Sequence, residues 1–332
     1  MMSNDSAPEK PLLLLPAPHT SPIRSTVGIV VLALLFLASA SITAAYLSNL
    51  AVVPNSQTGA AAAAVENAFA DIALTAKSAY VLDLTTGKVF YEKNADAQLP
   101  LASLTKVPLV LAVSEVLPAS SILQIPPHQT PDGAGIRFPI GLSFQVQDII
   151  DFTLVASSNE GASLLAEAAS EGLRVAYPES VEHAPVLWRM NDLAKRLGLA
   201  NTYFLNTTGL DLSPTQAGAF GSAKDMAHLF AHAASSSPAS FGQTARSSIK
   251  IRATTGESLT AENTDEALPS IPGLILGKTG YTELAGGNLA IVFEAGPAHP
   301  LVAVVLHSTQ DGRFDDIRAL VEASLAAMAE QP

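Results

Sequence analysis

Ser103-Leu104-Thr105-Lys106 sets a hydroxyl three residues ahead of an amine, a spacing that on a helix puts both groups on one face and within hydrogen-bond reach. A serine hydroxyl is a weak nucleophile until a neighbour takes its proton. Lysine does so at neutral pH only where burial or a second cation lowers its pKa. Two more groups follow in the order this chemistry uses: Ser157-Ser158-Asn159 at the end of an apolar stretch, and Lys278-Thr279-Gly280 at the head of a glycine-rich, β-prone one. Singly, each has a bland alternative: the first recurs by chance, the second can cap a helix, and the third can be a plain turn. Together they point to a serine acyl-enzyme with Ser103 as nucleophile and Lys106 as base.

Other chemistries find less support. Neither a G-x-S-x-G elbow nor a glycine-rich phosphate loop with lysine is present, which argues against α/β-hydrolase and nucleotide-binding readings. His228 and His232 lie four apart, but no Glu follows His228 and no third ligand is evident, so neither a metal nor another cofactor is expected. Asn206-Thr207-Thr208 matches a glycosylation sequon and reads better as a turn. Trp188 reads as core or interface.

The elements that must position these groups follow from periodicity. AYVLDL and KVFYEKN form a hairpin about Thr85-Thr86-Gly87. Residues 103–117 form a buried helix with Ser103 at its start and Pro108 tolerated near its first turns. From about 144 to 235 the chain reads as helices, one of them opened by the capping pattern Ser222-Ala223-Lys224-Asp225. GNLAIVFEA and LVAVVLHST return to strands, and a last helix covers about 315–329. This order predicts a sheet built from both ends of the chain with a helical insertion at about 120–235.

With 332 residues and 48% hydrophobic composition the chain can bury a sizeable core. A net charge of −12, spread along the chain without a basic stripe, excludes a nucleic-acid footprint. The absence of cysteine excludes disulfides, a thiol nucleophile and thiolate-bound metal. Residues 1–26, with five prolines, read as a disordered cytoplasmic tail. Residues 27–48 carry no charge and no proline and can cover roughly 30 Å, enough for one transmembrane anchor. A cleaved signal peptide competes; the long leader and full spanning length favour the anchor. Lys10 and Arg24 precede the span and the next basic residue is Lys77, which sets the N-terminus inside and a domain at 76–330 outside, after a stalk at 49–75.

The three motifs, with FLNTTGLD at 204–211, Ser222–Asp225 and GKTGYTELAGGNLA, make the chain resemble the serine penicillin-binding proteins, specifically the low-molecular-mass D-alanyl-D-alanine carboxypeptidases, over roughly residues 76–310. The resemblance implies an α+β fold, an antiparallel sheet sandwiched by helices plus a helical subdomain. It implies attack by Ser103 on peptidoglycan stem peptides ending in D-Ala-D-Ala, with β-lactams as covalent inhibitors. On it Lys106 is the base, Ser157 relays a proton, and Asn159 holds Lys106 and the substrate amide. Lys278 and Thr279 take the terminal carboxylate, Lys278 helps keep Lys106 neutral, Gly280 permits close approach, and the N–H groups of Ser103 and Tyr281 meet the oxyanion. Leu101 and Ser158 stand where Pro and Gly are common. The C-terminal β domain of many relatives is not expected, and the N-terminal span takes over anchoring. A D,D-endopeptidase uses the same residues. A β-lactamase is disfavoured because no E-x-x-L-N-type loop is found, and a non-catalytic wall-binding module has no need of a nucleophile.

Overall fold

The computed structural model describes residues 65–127, 137–180 and 184–330. The tail, the apolar segment at 27–48 and the stalk up to residue 64 lie outside the described residues. Among those described, no helix is long and apolar enough to cross a membrane.

The central layer is a five-stranded antiparallel sheet. Its strands are β1 (Ser78–Asp83), β2 (Val89–Lys93), β5 (Leu274–Thr282), β6 (Gly286–Glu294) and β7 (Pro300–Ser308); β3 (Ser248–Arg252) and β4 (Ser258–Glu262) form a separate hairpin. The spatial order is β5-β6-β7-β1-β2, so both ends of the chain contribute and β5 is an edge strand. Strict alternation explains why the inner strands are apolar on both faces. Tyr80, Leu82, Ala290, Val292, Val302 and Val304 enter one core, while Ala79, Val81, Leu289, Ile291, Leu301 and Ala303 enter a second on the other face.

Helices supply the rest of both cores. α1 (Lys106–Ser114) has eight of its nine residues buried and runs through the centre of the first core, against α2 (Val146–Val155), α3 (Asn159–Ala176) and α4 (Pro185–Arg196). α5 (Ala223–Ser236) packs on the sheet at β7 and β1, so this last helix of the expected insertion belongs to the sheet layer. The Ser222 hydroxyl accepts from Asp225 N, as the capping pattern requires. α6 (Gly312–Ala329) covers the second core with Phe314, Ile317, Leu320 and Val321.

Two boundaries differ from the sequence reading. Ser103 precedes α1 and lies in a 3-10 turn, Ala102–Thr105, because Ala102 takes a left-handed conformation with φ 48°. The folded part also begins earlier than Ala76. Residues 65–69 are helical, and Phe69 is buried with its ring 5.5 Å from that of Tyr91. An alanine-rich run reads as a stalk, yet Val65 and Phe69 are buried in the second core and Ala68, Ile72 and Leu74 pack against it.

Candidate active site

The 3-10 turn does what the Ser-x-x-Lys spacing needs. Residues i and i+3 eclipse in that geometry, so Lys106 stands directly behind Ser103 and its Nζ donates to Ser103 Oγ at 2.7 Å. The same Nζ donates to Asn159 Oδ1 at 2.7 Å and to the Thr208 carbonyl at 3.0 Å. Lys106 is fully buried, and that burial brings its pKa down to about 7. Asn159 is the first residue of α3, held there by Ser158, whose hydroxyl caps the helix at Gly161 N.

All three contacts are donated by Nζ, as in the ammonium form. A neutral amine has two N–H groups and one lone pair. Asn159 Oδ1 and the Thr208 carbonyl can only accept, so they take both hydrogens. Once Nζ gives up a proton, its lone pair faces the Ser103 hydroxyl, which then becomes the donor.

Lys278 forms a second centre. It is buried, and its Nζ donates to Ser157 Oγ at 2.8 Å and to the Thr279 carbonyl at 2.9 Å. Burial, followed by the charges of Lys106 and Arg313, holds its pKa well below the ordinary lysine value, with Asp265 opposing. Burial is the leading cause for both lysines, and repulsion between two neighbouring cations acts on each of them. Ser157, like Ala102, is a non-glycine residue with left-handed φ, at 55°. Such strain persists only where the surroundings impose it.

The free edge of β5 closes the site. Thr244 Oγ1 accepts from Gly277 N, and the Thr279 carbonyl takes Lys278 Nζ. Alternate residues of a strand present their peptide groups to the same side, so the Tyr281 N–H faces that edge too. The Ser103 turn lies beside it: a Cβ on Gly280 would sit 2.8 Å from the Leu101 carbonyl and 3.2 Å from Ser103 N. Only glycine allows this approach. Beyond Tyr281, Asp211 accepts from the Thr282 hydroxyl at 2.9 Å and from Leu284 N at 3.3 Å.

All the residues named from sequence, Ser103, Lys106, Ser157, Asn159, Lys278, Thr279, Gly280 and Tyr281, therefore converge on one locality. Sequence reasoning missed three partners. Thr208 lends Lys106 its carbonyl, and it is set by the Asn206 side chain, which accepts from Thr208 N and Gly209 N; the sequon is indeed a turn. The hydroxyl of Thr264 pairs with that of Thr279 at 2.6 Å. Arg313 reaches the Gly280 carbonyl from α6. FLNTTGLD hinted at the first; the other two carry no local signature. The two histidines do not join the site: both lie on α5, His232 beside an apolar cavity of about 440 Å³ with Leu84, Ile275, Val292 and Pro300.

Residues 61–310 match the family described as D-alanyl-D-alanine carboxypeptidase. The D-alanyl-D-alanine carboxypeptidase DacF of Bacillus subtilis is 28% identical over 268 residues, covering 79% of this chain and 65% of that protein. A D-alanyl-D-alanine endopeptidase of Pseudomonas aeruginosa is 32% identical over 142 residues, covering 42% of this chain and 43% of its own. The chain thus spans less than two thirds of the length of either curated relative. Among solved structures, cefotaxime-bound penicillin-binding protein D2 of Listeria monocytogenes superposes with a TM-score of 0.63 at 26% identity, covering 76% of this chain and 98% of that one.

Proposed function

Because this chain belongs to the D-alanyl-D-alanine carboxypeptidase family, we propose that it is a serine-type D-Ala-D-Ala carboxypeptidase acting on peptidoglycan stem peptides. The observation that carries this reading is the buried Lys106, whose Nζ lies 2.7 Å from Ser103 Oγ.

We assign the steps from the family resemblance, supported by the contacts described above. Ser103 Oγ attacks the penultimate D-Ala carbonyl as Lys106 Nζ takes its proton. The oxyanion that forms is met by the N–H groups of Ser103 and Tyr281, a contribution of roughly 3 kcal/mol per donor in comparable sites. As the C–N bond breaks, Ser157 passes a proton to the leaving amine of the terminal D-Ala, and Lys278 anchors Ser157 for that task. The terminal carboxylate is taken at Lys278 and Thr279; its arrival favours the ammonium form of Lys278. Asn159 offers its Nδ2 to the substrate amide. Water then attacks the Ser103 ester and releases the shortened peptide. β-Lactams acylate the same hydroxyl.

A D,D-endopeptidase is the second reading, favoured by the endopeptidase name of the Pseudomonas relative. We also place the domain outside the cytoplasm, held by residues 27–48 with the N-terminus inside, on the strength of their uncharged composition and of Lys10 and Arg24 before them. The chain has no cysteine, so labelling Thr85→Cys with an impermeant maleimide in intact cells tests this directly; protection until lysis rejects the placement.

The activity is tested by incubating the purified protein with a fluorescent penicillin, and with pentapeptide and cross-linked muropeptides read by mass spectrometry. An adduct that Ser103→Ala abolishes, and release of D-Ala from pentapeptide, are expected. Cleavage of cross-links alone selects the endopeptidase. Absence of both products and of the adduct ends the proposal.

A further inference from the structure

Arg313 lies past residue 310, where the family match ends, and far from all three motifs. It is buried at 8% exposure; among the described residues no carboxylate forms a direct ion pair with it, although Asp265, Glu266 and Asp311 act on it from farther away, its Nε has no partner, and its guanidinium lies 4.6 Å from the Phe314 ring. Burying a cation without a direct counter-charge is costly, so a role beyond packing is called for. Its one directed bond runs from Nη1 to the Gly280 carbonyl, 3.0 Å away and buried.

That carbonyl shares a peptide plane with the Tyr281 N–H. In a trans peptide the two point in opposite directions. A donor fixed on the carbonyl thus holds the N–H aimed at the free edge of β5, beside Ser103. The sheet is built to admit the donor. Tyr281 pairs with Gly287 on β6, and a Cβ on Gly287 would sit 2.0 Å from the Thr309 carbonyl and 3.3 Å from Arg313 Cβ. The missing side chain lets the start of α6 close on the sheet behind Tyr281.

We propose that Arg313 is a positioning residue for the oxyanion hole, orienting and polarising the Gly280–Tyr281 peptide so that its N–H receives the developing negative charge. The positive charge on the carbonyl strengthens that N–H as a donor, since hydrogen bonds in series polarise one another. The inference rests on the proposed acyl-enzyme chemistry.

The test compares the full chain with Arg313→Met and Arg313→Lys in D-Ala release, in the rate of penicillin acylation, in affinity for a boronic acid that forms a tetrahedral adduct with the serine, and in melting temperature. For Arg313→Met, kcat and the acylation rate should each fall about tenfold or more, with KM changed less than about twofold, because a transition-state donor is weakened. Boronate affinity should fall in step, and Arg313→Lys should recover part of each loss. Unchanged kcat, or a raised KM with kcat intact as expected of a carboxylate binder, overturns the inference. If the wild type takes penicillin but releases no D-Ala, the carboxypeptidase reading fails and Arg313 is judged on acylation and boronate affinity. Should Arg313→Met not fold, Arg313→Lys with wild-type kinetics and melting temperature would likewise reject it, because a flexible point charge cannot reproduce the guanidinium's fixed geometry in full.

Discussion

Lys278 and Ser157, 121 residues apart in sequence, meet at 2.8 Å, the ammonium of the third motif donating to the hydroxyl of the second. The contact makes Ser157 more than a helix-end serine, since its hydroxyl is held by a buried amine and its backbone takes a left-handed φ.

Ser157→Ala should therefore slow acylation about a hundredfold, the low end for loss of a positioned proton carrier, while circular dichroism remains native. Stopped-flow quenching with a fluorescent penicillin reads the rate. A rate within threefold of wild type, if the wild type is itself acylated, removes Ser157 from the proton path.

The base at Lys106 fixes the sign of the pH dependence. Only its neutral form accepts the serine proton, so acylation should rise with pH through about 7 and level off above. Lys106→Arg, which stays charged at every accessible pH, should show no rise and almost no adduct. A wild-type rate that falls across pH 6 to 8 contradicts the assignment.

The same burial leaves a mark on stability. Lys106 has a lower pKa folded than unfolded, where 10.5 applies, so between about 7 and 10.5 the unfolded chain binds the extra proton. Stability contributed by this site therefore grows as pH rises through that window. Urea unfolding at pH 7 and pH 9 should show a smaller pH increment for Lys106→Met than for wild type. Equal increments would mean that Lys106 is not desolvated.

Asp316 offers a test away from the chemistry. Its carboxylate accepts from Thr75 N and Ala76 N at 2.8 Å each and from the Ser308 hydroxyl at 2.6 Å, tying the entry of the chain to the end of β7. Asp316→Ala should cost about 2 kcal/mol, because one buried and one part-buried peptide N–H lose a carboxylate acceptor. The penicillin acylation rate at 25 °C should stay within twofold of wild type. Loss of less than 1 kcal/mol would show that water replaces the carboxylate.

Much of this was legible in the sequence where residue type and spacing suffice. Ser103, Lys106 and Lys278 are legible because three motifs, each weak alone, fall in an informative order. β6 and β7 are legible because their apolar, β-prone runs are bounded by glycine and proline turn residues. The 3-10 geometry at Ala102 is not, since a left-handed alanine is imposed by tertiary contacts and contradicts its local preference. Nor is Phe69, one ring in a run of alanines. Thr264 and Arg313 act through partners 15 and 33 residues away, and no short window holds both ends of such a bond.

The edge position of β5 has a further consequence. An unpaired strand border recruits any extended chain, including another copy of the same protein. Here Thr244 occupies the border at Gly277 and Asp211 ties down the chain at Thr282 and Leu284, which leaves only the stretch from Lys278 to Tyr281 open. Four residues of strand measure about 13 Å. A berth that short matches the last few residues of a peptide, as the proposed activity requires, and is shorter than the run of backbone that pairing with a full strand would use.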